Sequence, residues 1–426
     1  MIVELRAKNC FVFSNEIVFS LKADMRNKKF ATNVYRENYF NVLKTSGIYG
    51  PNNVGKTCLI KCIRSMKNIL MHNPSQIVAN IFTKNPISEL GITFLHEGHE
   101  YSYDVKCDTE KKEYPYEKLS EIVKDQYGNE KEVIIMVKDT INKEYKFEEE
   151  ALEQMMPMLA KNNILIYLLD AAGSDQLRHM KEILVGFASK IDIIDMNNIP
   201  ISKTINLMKN ENQLRDKVVD FIKNADLDME DFTFVPMEHL KIKTEGNDEV
   251  KPEEKALDIS ESLMDQIRLV SVYKGVEVPS MLFDSTGTKK IAALASYIIE
   301  GLENGRILVV DELDSSIHFR LTRAIVAMFN NELNNNAQMI FTVHDINLMD
   351  CSRLFRKEQI WFIHKDSEGV YVYSLADFTA AAGIRDTTNI MEKYRKGALG
   401  ALPEPDLIKS LLKVKGLKSK ENLNDE

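Results

Sequence analysis

No stretch of this 426-residue sequence approaches the roughly 18 consecutive apolar residues needed to cross a bilayer, so no membrane role is expected. The opening MIVELRAKNCFVF mixes charges with apolar residues and has no small-residue cleavage site, and it reads as a strand, not a leader. Cysteine is scarce. The five present (Cys10, Cys58, Cys62, Cys107, Cys351) are too scattered for a disulfide framework and form no CxxC pair, which points to a reducing, cytoplasmic setting. Cys58 and Cys62 share a helix face but lack the further ligands a metal would need. Basic charge is also short: 55 Lys and Arg against 64 Asp and Glu leave a net charge of −9. That argues against a surface coated for tight, independent DNA binding, while leaving room for a local basic groove and a weak DNA contact. The basic run Lys409–Lys420 reads as a solvated tail. Internal repeats and low-complexity segments are absent.

What is present falls into four regions. Residues 1–147 begin with two alternating runs, VELRAKN and EIVFSLK, that suggest a strand pair. TSGIYG follows as a strand end feeding a glycine-bounded loop, and CLIKCIRSMKNILMH has helical apolar spacing. LGITFLHEG, HEYSYDVKCD, KEVIIMVKD and KEYKFEE then suggest an antiparallel meander. Residues 148–230 read as a helical insertion. Residues 231–375 start strand-like, with an exposed charged turn at Glu245–Glu254, and then alternate helix and strand: helices at 287–301 and 316–334, strands at 306–310 and 338–343. Residues 376–426 form a tail element. This is α/β text, and the order predicts one mixed sheet core built from both ends of the chain.

Gly50-Pro-Asn-Asn-Val-Gly-Lys-Thr57 is a full GxxxxGK[ST] loop between an apolar strand and an amphipathic helix. Gly50 and Gly55 let the backbone turn so that the amides of Asn52, Asn53, Val54, Gly55, Lys56, Thr57 and Cys58 can face phosphates, where the helix dipole favours the same charge. Lys56 would reach the β- and γ-phosphates of ATP, and the Thr57 hydroxyl would ligate Mg²⁺. In Arg306-Ile-Leu-Val-Val-Asp311-Glu312, four apolar residues make a buried strand that ends in two carboxylates. Asp311 is the expected metal-side residue, and Glu312 the group that orients or deprotonates the attacking water.

Lys56 and Asp311 stand 255 residues apart, far more than a compact nucleotide kinase or small GTPase requires, and the Asn-Lys-x-Asp guanine reader is missing. A large insertion between the half-sites is the arrangement of ATP-binding-cassette and chromosome-maintenance ATPases. Three further elements agree with it. Ser285-Thr-Gly287-Thr-Lys289 before an apolar helix resembles the signature loop that caps the γ-phosphate bound to the opposite subunit. Leu313-Asp314-Ser315-Ser316 resembles the D-loop. His344 ends a strand where a switch histidine would sense the γ-phosphate.

With these residues the chain resembles the standalone ABC-type, overcoming-lysogenisation-defect-like ATP-binding proteins of bacterial abortive-infection and phage-defence operons. The resemblance is carried by MIVELRAKNCFVFSNEIVFSLKA, IYGPNNVGKT, DSTGTKKI, ILVVDELDSSIH, IFTVHDINLMD, IWFIHKDSEGVYVYSLADF and KYRKGALGALP, over roughly residues 1–110 and 230–403. It implies an ATP hydrolase using ATP and Mg²⁺, a homo-oligomer of at least two copies with composite sites, and control of a separately encoded effector such as a nuclease. The signature departs from the transporter SGG core, and no Q-loop glutamine is assigned.

Other signals read as structure. His96-Glu-Gly-His99-Glu100 is HExH, not HExxH, and suggests a hairpin turn. Asp226-Leu-Asp228 has no apolar strand leading into it and reads as a linker turn, not a nuclease metal site. Trp361 lies in a buried-strand run, where packing is expected. Two further functions stay open at this stage: a DNA-repair or chromosome-associated ATPase acting on DNA directly, and an ATP-binding scaffold with little turnover.

Overall fold

The computed structural model describes residues 1–71, 76–124, 129–147, 163–165, 175–209, 213–225, 228–235, 242–243, 249–250, 261–379, 383–385, 388–403 and 407–415. Two large sheets organise them. One has six strands in the spatial order Ile191–Asp195, Ile307–Asp311, Gln338–Thr342, Thr45–Tyr49, Ile360–Lys365 and Val370–Ser374. The first five run parallel, and the last returns antiparallel at the edge. Every residue of Thr45–Tyr49, Ile307–Asp311 and Gln338–Thr342 is buried, as expected for parallel strands covered on both faces.

The alternation of side chains along these strands separates two apolar layers. Ile307, Val309 and Ile340 face the first helix, Lys56–Leu70, and the second sheet. Leu308, Val310, Met339 and Phe341 face the helices Thr286–Asn304 and Phe319–Asn330. The second sheet is antiparallel throughout and has seven strands, ordered Glu144–Phe147, Glu130–Asp139, Glu113–Lys124, His99–Asp108, Ile87–His96, Ile2–Lys8 and Ile17–Ser20. A third apolar cluster packs helices Ser202–Met208 and Gln213–Asn224 and a small sheet (Asp231–Phe234, Leu269–Tyr273, Val276–Pro279) against Thr286–Asn304.

The meander, the loop strand and the alternating C-terminal half follow the sequence reading. His96 and His99 close a two-residue hairpin in which Glu97 and Gly98 both have positive φ (50° and 79°), a turn that matches strand twist. Trp361 packs edge-on against Phe19 with ring centroids 5.0 Å apart. Three differences stand out. The strand Glu113–Lys124 was not singled out by its sequence. Ile191–Asp195 is an edge strand of the six-stranded sheet within text that reads as helical, paired in parallel with Ile307–Asp311. Its short IDIID run becomes a strand only through that distant partner, and Arg306 pairs with Asp192 across the two. The helix expected over 316–334 is confined to Phe319–Asn330, because Ser316 has φ 62° and His318 caps the helix with Nδ1 accepting from the Arg320 amide.

Of the Asp226-Leu-Asp228 motif, Asp226 and Leu227 lie outside the described residues, as do most of Glu245–Glu254 and residues 416–420 of the basic run. Among the described residues, no helix is long and apolar enough to cross a membrane.

Candidate nucleotide-binding site

The parallel strands bring their C-terminal ends to one edge, where ligands bind in open α/β sheets. Thr45–Tyr49 delivers the Gly50–Thr57 loop there. Gly50 has φ 151°, and a Cβ on it would sit 2.4 Å from the Ile363 carbonyl oxygen, so no other residue fits. Asn53 takes φ 63°, Gly55 precedes the first helical residue, and Asn52, Asn53 and Thr57 are exposed. Val54 and Gly55 are buried, and Cys58 is half-buried in the first helical turn with its thiol pKa pushed up by burial.

Lys56 is only 6% exposed, and its Nζ donates to the carbonyls of Gly50 (2.7 Å) and Pro51 (2.8 Å). Burial pulls its pKa down to about 8, against the opposing pull of Asp311, Glu312 and Asp314. Those acids come from the strand two places away in the sheet, with Gln338–Thr342 between. Thr342 ties the two acids together. Its Oγ1 donates to Asp311 Oδ1 at 2.5 Å and accepts from the Glu312 amide at 2.7 Å. Glu312 is held at φ 56°, a left-handed conformation that costs a non-glycine residue roughly 1–2 kcal/mol. Sparsely populated backbone of this kind clusters at functional sites.

The signature-like loop does not join this cluster. Ser285 and Gly287 line a separate cleft of about 560 Å³ with Ser316, His318 and Arg320, and no residue of the Gly50–Thr57 loop borders it. Ser285 caps its helix, accepting from the Thr288 amide at 3.1 Å. The preceding Asp284 is buried and accepts from three hydroxyls: Ser271 (2.6 Å), Ser280 (2.5 Å) and Tyr273 (2.8 Å). The loop is thereby fastened to the small sheet. A Cβ on Gly287 would lie 2.7 Å from the Ser316 carbonyl oxygen, so the signature-like and D-loop-like segments of one chain touch there.

Asp314 and Lys289, expected to contact the nucleotide, have the following surroundings within a single chain. Asp314 Oδ2 accepts from the amides of His344 (2.9 Å) and Asp345 (2.7 Å), and so organises the turn after Gln338–Thr342 within its own chain. Lys289 lines a different groove, of about 390 Å³, together with Asn197 and Lys290. His344 is exposed at the same strand-end edge as the acids.

Neither Thr342 nor Asn197 carries a motif signal in the sequence. Asn197 follows the unforeseen strand Ile191–Asp195, and its Nδ2 donates to Glu312 Oε2 at 2.7 Å.

Strand order, loop placement and the paired acids make this an ABC-type P-loop ATPase fold whose mixed sheet core is split by a partly helical insertion. Among solved structures, the SMC head domain from Thermotoga maritima is 12% identical with a TM-score of 0.40, and the match covers 88% of this chain and 98% of that one. The Smc head domain with an extended coiled coil, bound to the C-terminal domain of ScpA and derived from Pyrococcus furiosus, is 13% identical with a TM-score of 0.42, covering 92% and 99%. No curated protein sequence matches. A family pattern does match, over residues 46–350, and the chain belongs to that family, described as "AAA domain, putative AbiEii toxin, Type IV TA system".

Proposed function

We propose that this chain is the ATP-hydrolysing subunit of a bacterial antiphage system of the abortive-infection kind, closing head-to-tail on a second copy around two ATP molecules and governing a separately encoded effector such as a nuclease. The observation that carries the enzymatic half is the convergence of charge: a nearly buried lysine at a phosphate-type loop shares its field with Asp311, Glu312 and Asp314. Lys56 would release the Gly50 and Pro51 carbonyls to hold the β- and γ-phosphates, while the loop amides and the helix dipole receive the remaining charge.

The donor set suits Mg²⁺. The Thr57 hydroxyl is exposed at the helix start, and Thr342 occupies only the Oδ1 oxygen of Asp311. When bound, the ion would neutralise charge between the phosphates. Glu312 would orient the attacking water and take its proton, and His344 would contact the γ-phosphate. The cleft bearing Ser285 would close over the partner's triphosphate, which explains why it stands apart from its own chain's loop. The defence half rests on the motif resemblance and on a family description that refers to a toxin and a type IV toxin–antitoxin system.

Complementation tests the composite site. Lys56→Ala and Ser285→Ala chains should each hydrolyse ATP poorly alone. Mixed equally, they should recover at most about a quarter of the wild-type rate, since random pairing leaves one intact site in half of the head-to-tail dimers. A mixture no faster than its components sinks the dimer. Co-purification with the product of the adjacent gene tests the effector. Strong stimulation of hydrolysis by DNA, falling steeply with salt, would move the function to DNA itself.

A further inference from the structure

Glu312 is half-buried just beyond the end of Ile307–Asp311, and its side chain is held by a chain of donors that begins on another element. Asn197 Nδ2 donates to Glu312 Oε2 at 2.7 Å. The amide's other end, Oδ1, accepts from Ser315 Oγ at 2.9 Å, and Ser315 Oγ accepts from Lys290 Nζ at 2.9 Å. An ammonium only donates, so the direction is set from Lys290 through Ser315 and Asn197 to the carboxylate. Flipping the amide would put its oxygen against a carboxylate oxygen, two acceptors with no proton between them, so this orientation is the one that satisfies every partner.

The strand register explains how the parts meet. Asp195 pairs with Asp311, and the Met196 amide donates to the Asp311 carbonyl at 3.1 Å, which brings Asn197 alongside Glu312. Lys290 lies in the first turns of the helix that Ser285 caps, and Ser315 follows Asp314. The relay therefore runs from the signature-like helix to the candidate water-orienting group of the same chain.

We propose that Asn197 is a positioning residue for hydrolysis. It occupies one oxygen of Glu312, aims the other at the attacking water, and transmits through Ser315 and Lys290 any shift of the Ser285 helix. A partner's triphosphate docking on Ser285 would then be felt at this chain's own Glu312, and the two composite sites would fire together. This rests on the reading of Glu312 given above.

The test uses the full chain with Mg²⁺ and ATP, comparing turnover, binding of a fluorescent ATP analogue and thermal stability. Asn197→Ala should lower kcat about tenfold to a hundredfold, the range expected for an ångström-scale misplacement, with KM, analogue affinity and melting temperature unmoved. Asn197→Asp, equal in size but facing Glu312 with a second carboxylate, should not restore the rate. In a Glu312→Gln background, Asn197→Ala should add no further loss, because groups acting as a unit are not additive. Wild-type kcat in Asn197→Ala, full activity in Asn197→Asp, or a loss that multiplies on top of Glu312→Gln would each overturn the proposal while leaving the ATPase reading intact. A wild-type rate in Glu312→Gln would bring down both.

Discussion

The two large sheets of this protein are both buried on their shared side, yet only one gathers the candidate functional groups. In the six-stranded sheet five strands point the same way, so Tyr49, Asp195, Asp311, Thr342 and Lys365 all end at one edge. The residues just beyond them include Gly50, Asn197, Glu312 and His344. In the antiparallel sheet successive strand ends alternate between edges, and its polar side chains spread over a face instead. Arg6 there bonds Glu4, Thr93, Ser102 and Asp104 along neighbouring strands. Strand direction, and not the number of polar residues, decides where chemistry can collect.

Substitutions should expose that division sharply. At the parallel edge, Lys56→Ala should abolish nucleotide binding in a fluorescent-analogue titration. Glu312→Gln should leave binding intact and slow hydrolysis by about 10²–10⁴-fold, the span of a lost general base. An unchanged rate would mean that Glu312 is not the water-positioning base.

In the antiparallel sheet the largest expected effect concerns folding alone. Lys138 and Glu117 form a fully buried pair at 2.7 Å, and Glu117 also accepts from Tyr103 and from the Leu165 amide. Lys138→Met strands the carboxylate and should cost about 3–5 kcal/mol in denaturant unfolding, with turnover per folded molecule preserved. A selective loss of turnover would show that the two sheets are functionally coupled.

A smaller effect separates Lys56 from its surroundings. Its pKa is depressed to about 8 by burial, so below that pH the ammonium attracts phosphate, and above it the free protein carries a neutral amine. ATP affinity should therefore fall as pH rises through 8, by about tenfold per unit as the charged fraction shrinks. In Lys56→Arg, which stays charged throughout, any residual binding should be flat across that window. The same depression makes burial of the charged lysine destabilising below pH 8, a penalty relieved as pH rises towards the ordinary lysine value. Calorimetry of the nucleotide-free protein from pH 7 to 10 would register it. Least of all, Arg6→Ala should lower stability by no more than about 1 kcal/mol, since its pairs are partly solvated, and should leave kcat and KM alone.

The parts of the site that sequence exposes are those with local grammar. A glycine loop between strand and helix, an apolar run ending in two acids, and a serine before an apolar helix each carry their meaning within about ten residues. Four strands of the meander, though not Glu113–Lys124, were legible for the same reason, since period-two alternation needs no partner to be seen. What stayed hidden depends on pairing across the chain. Ile191–Asp195 becomes a strand because Ile307–Asp311 lies beside it, and Asn197 acquires a task only through that register. Thr342 looked like one more residue of a buried run until its hydroxyl proved to bridge Asp311 and Glu312. Asp314 carried a motif position, but its partners are two backbone amides that no spacing rule names.

The placement of Thr45–Tyr49 between Gln338–Thr342 and Ile360–Lys365 also bears on how the protein is made. The ribosome releases the phosphate loop early, but both flanking strands emerge only after most of the chain. At typical synthesis speeds the delay is on the order of tens of seconds. During that interval the loop strand has no neighbours on either side, and a nascent chain holding an intact lysine loop should still be unable to grip ATP.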